Sequence, residues 1–281
     1  MNIKGSTNIV GLIGHPVEHS FSPPMHNAAF KALDMDYAYV AFDVDPSDLK
    51  SAIEGAQSLN IKGFNVTIPH KIEVMQYLDE LDEVAELIGA VNTIDFKNLK
   101  GYNTDGIGAI KAIEAVSPVK DKNVIVAGAG GASRAISFYL AKYGASSITV
   151  LNRNEDKAQS LAGDILASDL IDDVKADSIS KISSCLKDAD ILVNTTPLGM
   201  HPNVDGSVAS SDDMHENLVV FDAVYNPHET LLLKEAAKAG AKPVYGIKML
   251  LYQGAESFKI WTGSEPPIDV MENALKQYLG R

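Results

Sequence analysis

The chain has 281 residues, 46% of them hydrophobic, and a formal net charge of −13 at pH 7. This length is enough for one large domain or two ordinary ones. The acidic charge argues against a nucleic-acid partner, because no basic excess remains to displace counterions from phosphates. No apolar run approaches membrane-spanning length, and the pattern predicts no secretory signal. The single cysteine, Cys185, suits a reducing compartment, so we expect a cytoplasmic protein.

Strand and helix patterns alternate over roughly the first hundred residues, which favours a parallel or mixed α/β sheet. This region has no phosphate-binding glycine turn, so we expect it to hold a substrate rather than a nucleotide. The predicted strands are Ile9–Ile13, Tyr37–Phe42, Gly63–Val66 and Val91–Phe96, and the predicted helices are Pro23–Leu33, Ser47–Leu59, Ile72–Leu78 and Glu80–Ile88.

The same alternation resumes after a helix at 104–115 and a break at Ser117-Pro118. We expect the last two helices to return to the first domain, because they lie beyond the sheet pattern. The predicted strands are Val124–Val126, Ile148–Leu151, Ile191–Asn194, Val219–Phe221 and Pro243–Tyr245, and the predicted helices are 156–167, 231–239, 247–261 and 268–279.

A glycine-rich turn at Gly128–Ser133 lies between a buried strand and a helix. In that context the turn predicts a dinucleotide-binding unit, in which Gly128 permits the tight turn and Gly130 lets the backbone approach a pyrophosphate. A turn that only packs against a neighbour remains the alternative. Ser133 is irregular, because a third Gly or an Ala usually occupies its position.

The end of the next strand indicates which dinucleotide binds. A carboxylate usually holds the ribose 2′-hydroxyl of NAD about 20 residues after the glycine turn. Here Asn152 and Arg153 occupy that position, with Lys157 one helical turn later. An arginine can hold a 2′-phosphate that a carboxylate would repel, so we predict NADP rather than NAD. A solvated basic helix start is the alternative.

Further polar residues follow predicted strand ends. Lys71 is predicted to begin a helix, where a cation is disfavoured by the helix dipole, although most lysines are simply solvated. Asp105 and Ser22 have an alternative role as helix caps, whereas Ser20 does not. His15 and His19 are four residues apart, but their loop does not predict a metal site.

Seven motifs occur in the order found in shikimate dehydrogenases, and the chain resembles that family along its whole length. The motifs are His19-Ser20-Phe21-Ser22-Pro23, Asn65-Val66-Thr67-Ile68-Pro69-His70-Lys71, Gly89-Ala90-Val91-Asn92-Thr93, Asn103-Thr104-Asp105-Gly106, Gly128–Arg134, Asn194-Thr195-Thr196-Pro197-Leu198-Gly199-Met200 and Met249-Leu250-Leu251-Tyr252-Gln253. The resemblance implies reversible, NADPH-dependent reduction of 3-dehydroshikimate to shikimate, in the route to aromatic amino acids.

The resemblance also implies a role for individual residues. Lys71 and Asp105 would form the catalytic pair. Substrate would be bound by Ser20, Ser22, Thr67, Lys71, Asn92, Asp105, Tyr225 and Gln253. The cofactor would be bound by Gly128, Ala129, Gly130, Gly131, Ala132, Asn152, Arg153, Asn154, Lys157, Ala223, Gly246, Met249 and Glu83. Asn154 departs from the family, which usually has Thr there.

The predicted fold class is therefore α/β with two domains. An N-terminal mixed α/β substrate domain comprises residues 1–104 plus 246–281, and a Rossmann-type doubly wound NADP-binding domain comprises residues 105–245. The expected partners are a small-molecule substrate and the cofactor, with no nucleic acid, no membrane and no metal; a homodimer stays open. Two alternative functions remain, a quinate/shikimate dehydrogenase of dual specificity and a non-catalytic NADP-sensing regulator, which would not need the Lys71–Asp105 pair.

Overall fold

The computed structural model describes residues 3–279, which form two compact units. The first unit runs to Thr104 and resumes at Gln253, and the second unit is Asp105–Tyr252. The second crossing point lies seven residues beyond the boundary at 246 that we derived from the sequence, inside the long helix Gly246–Thr262. A helix rather than a loop therefore carries the chain from the second unit back to the first.

The first unit is built on a six-stranded mixed sheet. Its strands are β1 (Asn8–Gly14), β2 (Tyr37–Asp43), β3 (Gly63–Val66), β4 (Glu80–Leu81), β5 (Thr93–Asp95) and β6 (Lys100–Tyr102). They lie in the order β2-β1-β3-β5-β6-β4. Strands β2 and β3 are parallel to β1, whereas β5 is antiparallel to β3 and β6 is antiparallel to β5.

The second unit is built on a six-stranded sheet in which all strands are parallel. Its strands are β7 (Asn123–Ala127), β8 (Ser147–Asn152), β9 (Val174–Ser178), β10 (Ile191–Asn194), β11 (Val219–Asp222) and β12 (Lys242–Tyr245). They lie in the order β12-β11-β10-β7-β8-β9, which is the doubly wound order of a Rossmann sheet. The two sheets confirm the predicted fold class.

Helices cover both sheets and supply the apolar faces of the cores. They are α1 (Ser22–Ala32), α2 (Leu49–Ser58), α3 (Glu83–Ile88), α4 (Asp105–Glu114), α5 (Gly131–Lys142), α6 (Glu155–Leu166), α7 (Ile182–Cys185), α8 (Leu231–Lys238), α9 (Gly246–Thr262) and α10 (Ile268–Leu279). In the structure, α10 and the carboxyl-terminal part of α9 belong to the first unit. There α10 packs against α1.

Trp261 fixes the end of α9 on the first sheet. Its indole N–H donates to the carbonyl oxygen of Ile94 at 2.9 Å. The ring lies against Gly63 in β3, where a Cβ would overlap the indole nitrogen and the Ile94 carbonyl oxygen. Glycine at this position therefore allows the helix to pack directly onto the strand.

The structure differs from the sequence prediction at several short segments. Lys71 lies in a turn before a 3₁₀ helix, Glu73–Tyr77, so it does not begin an α-helix, and our argument from the helix dipole does not apply. The predicted helix at 80–88 is the strand β4 followed by α3, whose N-cap Asp82 accepts from the backbone N–H of Val84 at 3.2 Å. Strands β6 and β9 were not predicted, because one has three residues and the other is a largely polar edge strand.

Candidate functional site

The sheet topology of the first unit brings the predicted substrate residues to one edge. Ser20 and Ser22 follow β1, and Thr67 and Lys71 follow β3, whose parallel course ends at the same edge. Because β5 is antiparallel to β3, Asn92 lies at that edge just before β5 begins. Strand β6 reverses direction again and ends there too. Residues from four places in the chain are therefore neighbours.

The Asn92 side chain is the centre of a buried hydrogen-bond network at this edge. Its Oδ1 accepts from the backbone N–H of Thr104 at 2.7 Å and from the Thr93 hydroxyl at 3.0 Å. Its Nδ2 donates to Thr104 Oγ1 at 3.0 Å and lies 3.5 Å from Gln253 Oε1. Asn92 is 2% exposed, so these partners offset the cost of burying its amide. Gln253 brings α9 into the same network.

A second amide extends the network across the sheet edge. Asn65 Nδ2 donates to the Asn92 carbonyl oxygen at 3.2 Å, to Thr93 Oγ1 at 3.1 Å and to Ser257 Oγ at 2.9 Å. The Tyr39 hydroxyl donates to Asn65 Oδ1 at 2.8 Å. Sequence reasoning gave no role to these three side chains. Asn65 lay within a motif, but Ser257 and Tyr39 carried no signal because they lie within an apolar helix and an apolar strand.

The serine pair lies at the start of α1. Ser20 Oγ accepts from the backbone N–H of Ser22 at 3.2 Å, and the N-cap of α1 is Phe21, which makes no side-chain capping bond. Ser22 is therefore inside the helix rather than its cap. Burial raises the pKa of Tyr39, which lies in β2, above its ordinary value.

Lys71 is held at this edge through its backbone. Its carbonyl oxygen accepts from the N–H of Val91 at 2.8 Å, beside Asn92. The preceding residue, His70, is 2% exposed, and its Nε2 lies 2.8 Å from the Val44 carbonyl oxygen. His70 therefore occupies the core, whereas the Lys71 side chain is only half-buried.

Asp105 is the first residue of α4 and follows Thr104 directly in the chain. It is therefore not the residue before the helix, although an acidic side chain in the first turn also suits the helix dipole. The backbone N–H of Thr104 donates to Asn92 Oδ1. The network of the first unit therefore fixes the backbone directly before Asp105.

The glycine turn of the second unit lies at the point where the strand order of the sheet reverses. Gly128 follows β7 with φ of +114°, a conformation that a side chain would strain. Gly130 is the N-cap of α5 and offers no side chain to cap the first turn. Gly130, Gly131 and Ala132 are exposed, and a Cβ added to either glycine would meet open space. The first turn of α5 therefore fits a phosphate group.

The irregular Ser133 has a structural role in this turn. Its Oγ accepts from the backbone N–H of Gly130 at 3.1 Å and lies 2.5 Å from the hydroxyl oxygen of Thr195, which follows β10. Thr195 Oγ1 in turn donates to the Ala127 carbonyl oxygen at 2.8 Å. The serine thus ties the glycine turn to the neighbouring strand end, which a third glycine could not do.

The predicted 2′-phosphate site lies in the exposed loop after β8. Asn154 is the N-cap of α6, and its Oδ1 accepts from the backbone N–H of Lys157 at 3.1 Å. Asn152 Nδ2 donates to the Asn154 carbonyl oxygen at 2.9 Å. Within residues 3–279, the side chains of Arg153 and Lys157 form no ion pair. This loop therefore presents two exposed cations, which no anion of residues 3–279 pairs with, beside exposed backbone at a helix start.

The remaining predicted cofactor residues follow β11 and β12. Asp222 is fully buried at the end of β11 and accepts from Asn194 Nδ2 at 2.9 Å, from the Val224 N–H at 3.0 Å and from the Thr230 hydroxyl at 2.6 Å. Burial raises the Asp222 pKa, against the effect of these bonds. The bonds fix the loop that contains Ala223 and the exposed Tyr225. Gly246 and Met249 begin α9, whereas Glu83 is exposed at the start of α3 in the first unit.

No group of three or more His, Cys, Asp or Glu side chains within residues 3–279 could hold a metal ion. His15 instead pairs with Asp43, with His15 Nδ1 2.7 Å from Asp43 Oδ1, and this pairing raises the His15 pKa. No helix of the described chain is long and apolar enough to cross a membrane.

A Rossmann unit with an open phosphate turn and two exposed cations, in a chain that also has a second α/β unit with a polar sheet edge, is typical of a dinucleotide-dependent oxidoreductase. Three family models match the chain: the shikimate dehydrogenase substrate binding domain at residues 12–94, shikimate / quinate 5-dehydrogenase at 111–227, and the shikimate 5′-dehydrogenase C-terminal domain at 246–276. The chain belongs to the shikimate dehydrogenase family, which confirms the resemblance of the seven motifs.

Individual relatives cover almost the whole chain. A protein of Methanobrevibacter smithii named shikimate dehydrogenase (NADP(+)) is 69% identical over 278 residues, which are 99% of each chain. A crystal structure of a shikimate dehydrogenase in complex with NADP+ is 52% identical, with a TM-score of 0.93, covering 100% of this chain and 98% of that one. Shikimate 5-dehydrogenase from Listeria monocytogenes, crystallised with shikimate and NAD, is 36% identical, with a TM-score of 0.93 and 98% of each chain covered.

Proposed function

We propose that this protein catalyses the reversible, NADPH-dependent reduction of 3-dehydroshikimate to shikimate, in the biosynthesis of aromatic amino acids. One observation carries the proposal: in a member of this family, Ser20, Ser22, Thr67, Lys71 and Asn92 meet at a single sheet edge. Enzyme class and cofactor follow from the relatives, whose names specify shikimate dehydrogenase (NADP(+)).

Lys71 and Asp105 are the proposed catalytic pair. When bound, NADPH would supply the hydride that reduces the ring carbonyl carbon, and the carbonyl oxygen would be left with the electron pair. The Lys71 ammonium gives that oxygen its proton, and Asp105 stabilises and orients the ammonium. In the reverse direction Lys71 takes the proton from the hydroxyl. Lys71 is regenerated by exchange with solvent, because its side chain is only half-buried.

The other substrate residues orient the ring. Ser20 and Ser22 bind the carboxylate as hydroxyl donors, with Tyr225 as a further donor. Thr67, Asn92 and Gln253, of which Asn92 and Gln253 are buried, bind the ring hydroxyls. These contacts are remote from hydride transfer, so their loss should raise KM more than it lowers kcat.

The cofactor residues divide by the group that they hold. Gly128, Ala129, Gly130, Gly131 and Ala132 bind the pyrophosphate at the start of α5. The loop from Asn152 to Lys157, including Arg153 and Asn154, binds the 2′-phosphate, since its two cations have no other anion within residues 3–279. Ala223, Gly246 and Met249 flank the nicotinamide. Glu83 is the remaining residue that we propose to bind the cofactor.

A direct test measures NADPH formation from shikimate, beside quinate and with NAD in place of NADP. The Lys71→Ala variant should lose turnover by about 10²–10⁴-fold with little change in KM, the scale of general acid–base catalysis. Lys62→Ala is a matched control, because Lys62 is a lysine of the same unit that hydrogen-bonds Asn60. A large rise in KM with turnover preserved would make Lys71 a binding residue only.

Quinate is the nearest alternative substrate. It carries an additional hydroxyl beside the carboxylate, where two serine side chains leave less room than one. We therefore expect shikimate to be preferred, and equal kcat/KM for the two acids would establish the dual-specificity alternative. A wild-type protein that binds NADPH but oxidises neither acid would instead be the NADP-sensing regulator.

The proposal also includes the location of the enzyme in the cell and its oligomeric state. We place the enzyme in the cytoplasm, because its single thiol suits a reducing compartment, and cell fractionation tests this. A homodimer stays a prediction, which sedimentation at micromolar concentration decides.

A further inference from the structure

Three side chains on one side of α9 contact the first sheet. Gln253, Ser257 and Trp261 are four residues apart in turn, so they lie in a row along the helix. Each of them has a polar atom close to a different one of three consecutive residues at the start of β5, which are Asn92, Thr93 and Ile94. The row therefore determines how α9 is placed along and around its axis on this strand.

Ser257, the middle residue of the row, bonds α9 to two strands. Its Oγ accepts from Asn65 Nδ2 of β3 at 2.9 Å and lies 2.8 Å from Thr93 Oγ1 of β5. It also lies 3.3 Å from Thr104 Oγ1 and 3.0 Å from the carbonyl oxygen of Gln253, one helical turn earlier. Ser257 is fully buried, so a substrate cannot reach its hydroxyl.

The Ser257 hydroxyl has one proton, and its two nearest acceptors both lead to Gln253. When the hydroxyl donates to Thr93 Oγ1, the Thr93 hydroxyl donates in turn to Asn92 Oδ1 at 3.0 Å, and Asn92 Nδ2 faces Gln253 Oε1 at 3.5 Å. When it donates to the Gln253 carbonyl oxygen, it holds the backbone of Gln253 itself. In both arrangements the Ser257 oxygen still accepts from Asn65.

We propose that Ser257 is a positioning residue for the substrate, which acts through Gln253 by fixing the turn of α9 from which the Gln253 side chain extends. This inference rests on the proposed function, in which Gln253 binds the ring hydroxyls. Asn92 has a separate support, because its Oδ1 accepts from the backbone N–H of Thr104 at 2.7 Å. Loss of the Ser257 hydroxyl therefore leaves Asn92 in place and lets Gln253 shift relative to it.

The other contacts of α9 cannot replace Ser257. At a rise of about 1.5 Å per residue, Ser257 lies about 6 Å along the helix axis from Gln253, whereas Trp261 lies about 12 Å away. Gly254 lies against Met25 of α1, where an added Cβ would overlap the methionine side chain. That contact is apolar and has no preferred direction. The hydrogen bonds of Ser257 are directional, so they determine which way the adjacent turn faces.

The test is the Ser257→Ala variant, which keeps the helix and removes only the hydroxyl. We expect the KM for shikimate to rise about fivefold, because the hydrogen bonds that orient a ligand-binding side chain are lost. The KM for NADP should stay within about twofold and kcat within about threefold, since the proton-transfer and cofactor residues are unchanged. Ser137→Ala is the matched control and should leave the KM for shikimate unchanged. Ser137 is also a fully buried serine of a helix, but its hydroxyl has no hydrogen-bond partner within residues 3–279.

A double-mutant cycle with Gln253→Ala separates positioning from a general loss of structure. If Ser257 acts through Gln253, Ser257→Ala should change the KM by less than about twofold once Gln253 is already alanine. A further fivefold rise in that background, or a Ser257→Ala KM equal to wild type, would overturn the inference. The emission of the single tryptophan, Trp261, one turn after Ser257, reports whether α9 still packs on the sheet.

A second variant keeps the inference testable if Ser257→Ala does not fold. Ser257→Cys fills the space of the serine, but its thiol is only a weak donor and acceptor. It should raise the KM for shikimate as the alanine does, and a wild-type KM would overturn the inference by showing that the position needs volume rather than hydrogen bonds. A wild-type protein without activity on shikimate overturns the proposed function as well, whereas an active wild type with unaffected Ser257 variants overturns this inference alone.

Discussion

His26 makes the stability of this protein depend on pH in a way that can be calculated. Its side chain is fully buried, and neither ring nitrogen has a hydrogen-bond partner within residues 3–279. The ring is surrounded by Tyr39, Phe30, Phe258 and Trp261, with centroids 4.5 to 6.4 Å away. Burial lowers the His26 pKa from 6.5 to about 3. The neighbouring Tyr39 stays neutral throughout this range, because burial raises its pKa.

Whether acid lowers or raises the free energy of unfolding depends on whether the unfolded or the folded state binds the proton at His26. Between pH 6.5 and about 3, the unfolded chain protonates His26 and the folded protein does not. Protons therefore favour unfolding, so the stability that neutral His26 allows is complete above pH 6.5 and is lost as the pH falls below it. The slope approaches about 1.4 kcal/mol per pH unit, so lowering the pH from 7 to 5 should cost about 2 kcal/mol through this group.

The His26→Phe variant isolates that contribution, since it keeps a flat ring but cannot titrate. Urea unfolding of wild type and variant would be compared at pH 7 and pH 5, followed by fluorescence of the single tryptophan, Trp261, whose ring lies 5.5 Å from His26. Between the two pH values, wild type should lose about 2 kcal/mol more than the variant. His228→Phe, the same change at an exposed position of the second unit, controls for the loss of an ordinary histidine.

Carboxylates and other histidines titrate over the same range, but they are present in wild type and variant alike, so their effects cancel in the comparison. Equal pH dependence of the wild type and His26→Phe would refute the reasoning. It would mean that the folded protein accepts the proton at His26, through an opening or a water that supplies the missing partner.

Two further predictions concern the cofactor loop and the packing of α9. Arg153→Ser should raise the KM for NADP by about 10–100-fold and leave the KM for NAD nearly unchanged, because only NADP carries the 2′-phosphate; an equal rise for both cofactors in kinetic assays would contradict this. Gly63→Ala should lower the free energy of unfolding by about 1–3 kcal/mol, because the new Cβ overlaps the Trp261 indole. Gly55→Ala is the control, because Gly55 lies in the middle of α2 and nothing is within 4 Å of the added Cβ; this change should stabilise the protein slightly in the same thermal melts. Equal effects of the two changes would show that a glycine is not sterically required at position 63.

The sequence was most informative where the proposed function depends on residues that are close to one another in the chain. The turn at Gly128–Ser133 could be predicted because a strand, glycines and a helix follow one another within a dozen residues. The NADP preference depended on one position, Arg153, at a strand end. Buried strands such as β3 and β10 were predicted with correct bounds, because each is a short, mostly apolar segment with polar residues on either side.

What could not be predicted depends on contacts between distant parts of the chain. Ser133 looked like a defect in the glycine pattern, and only its contact with Thr195, 62 residues later, shows its role. Ser257 joins Asn65 from 192 residues away. Lys71 lies in a turn before a 3₁₀ helix rather than at the start of an α-helix, and its carbonyl oxygen accepts from the N–H of Val91, 20 residues later. Periodicity contains no information about such pairs.

The candidate substrate residues of the first unit and the candidate cofactor residues of the second unit are therefore held in place by different physical means. In the first unit, two of the side chains proposed to bind the ring are buried and lie within hydrogen-bond distance of each other: Asn92 is 2% exposed and Gln253 is 8% exposed. In the second unit, Gly130, Arg153 and Lys157 are exposed. A small polyhydroxylated acid offers few contacts, so its binding groups must be held in place before it arrives. A dinucleotide is long and highly charged, and exposed cations and backbone N–H groups suffice to hold it. Changes at the substrate edge should consequently reduce stability along with affinity, because they leave buried polar partners unpaired, whereas changes in the cofactor loop should reduce affinity alone.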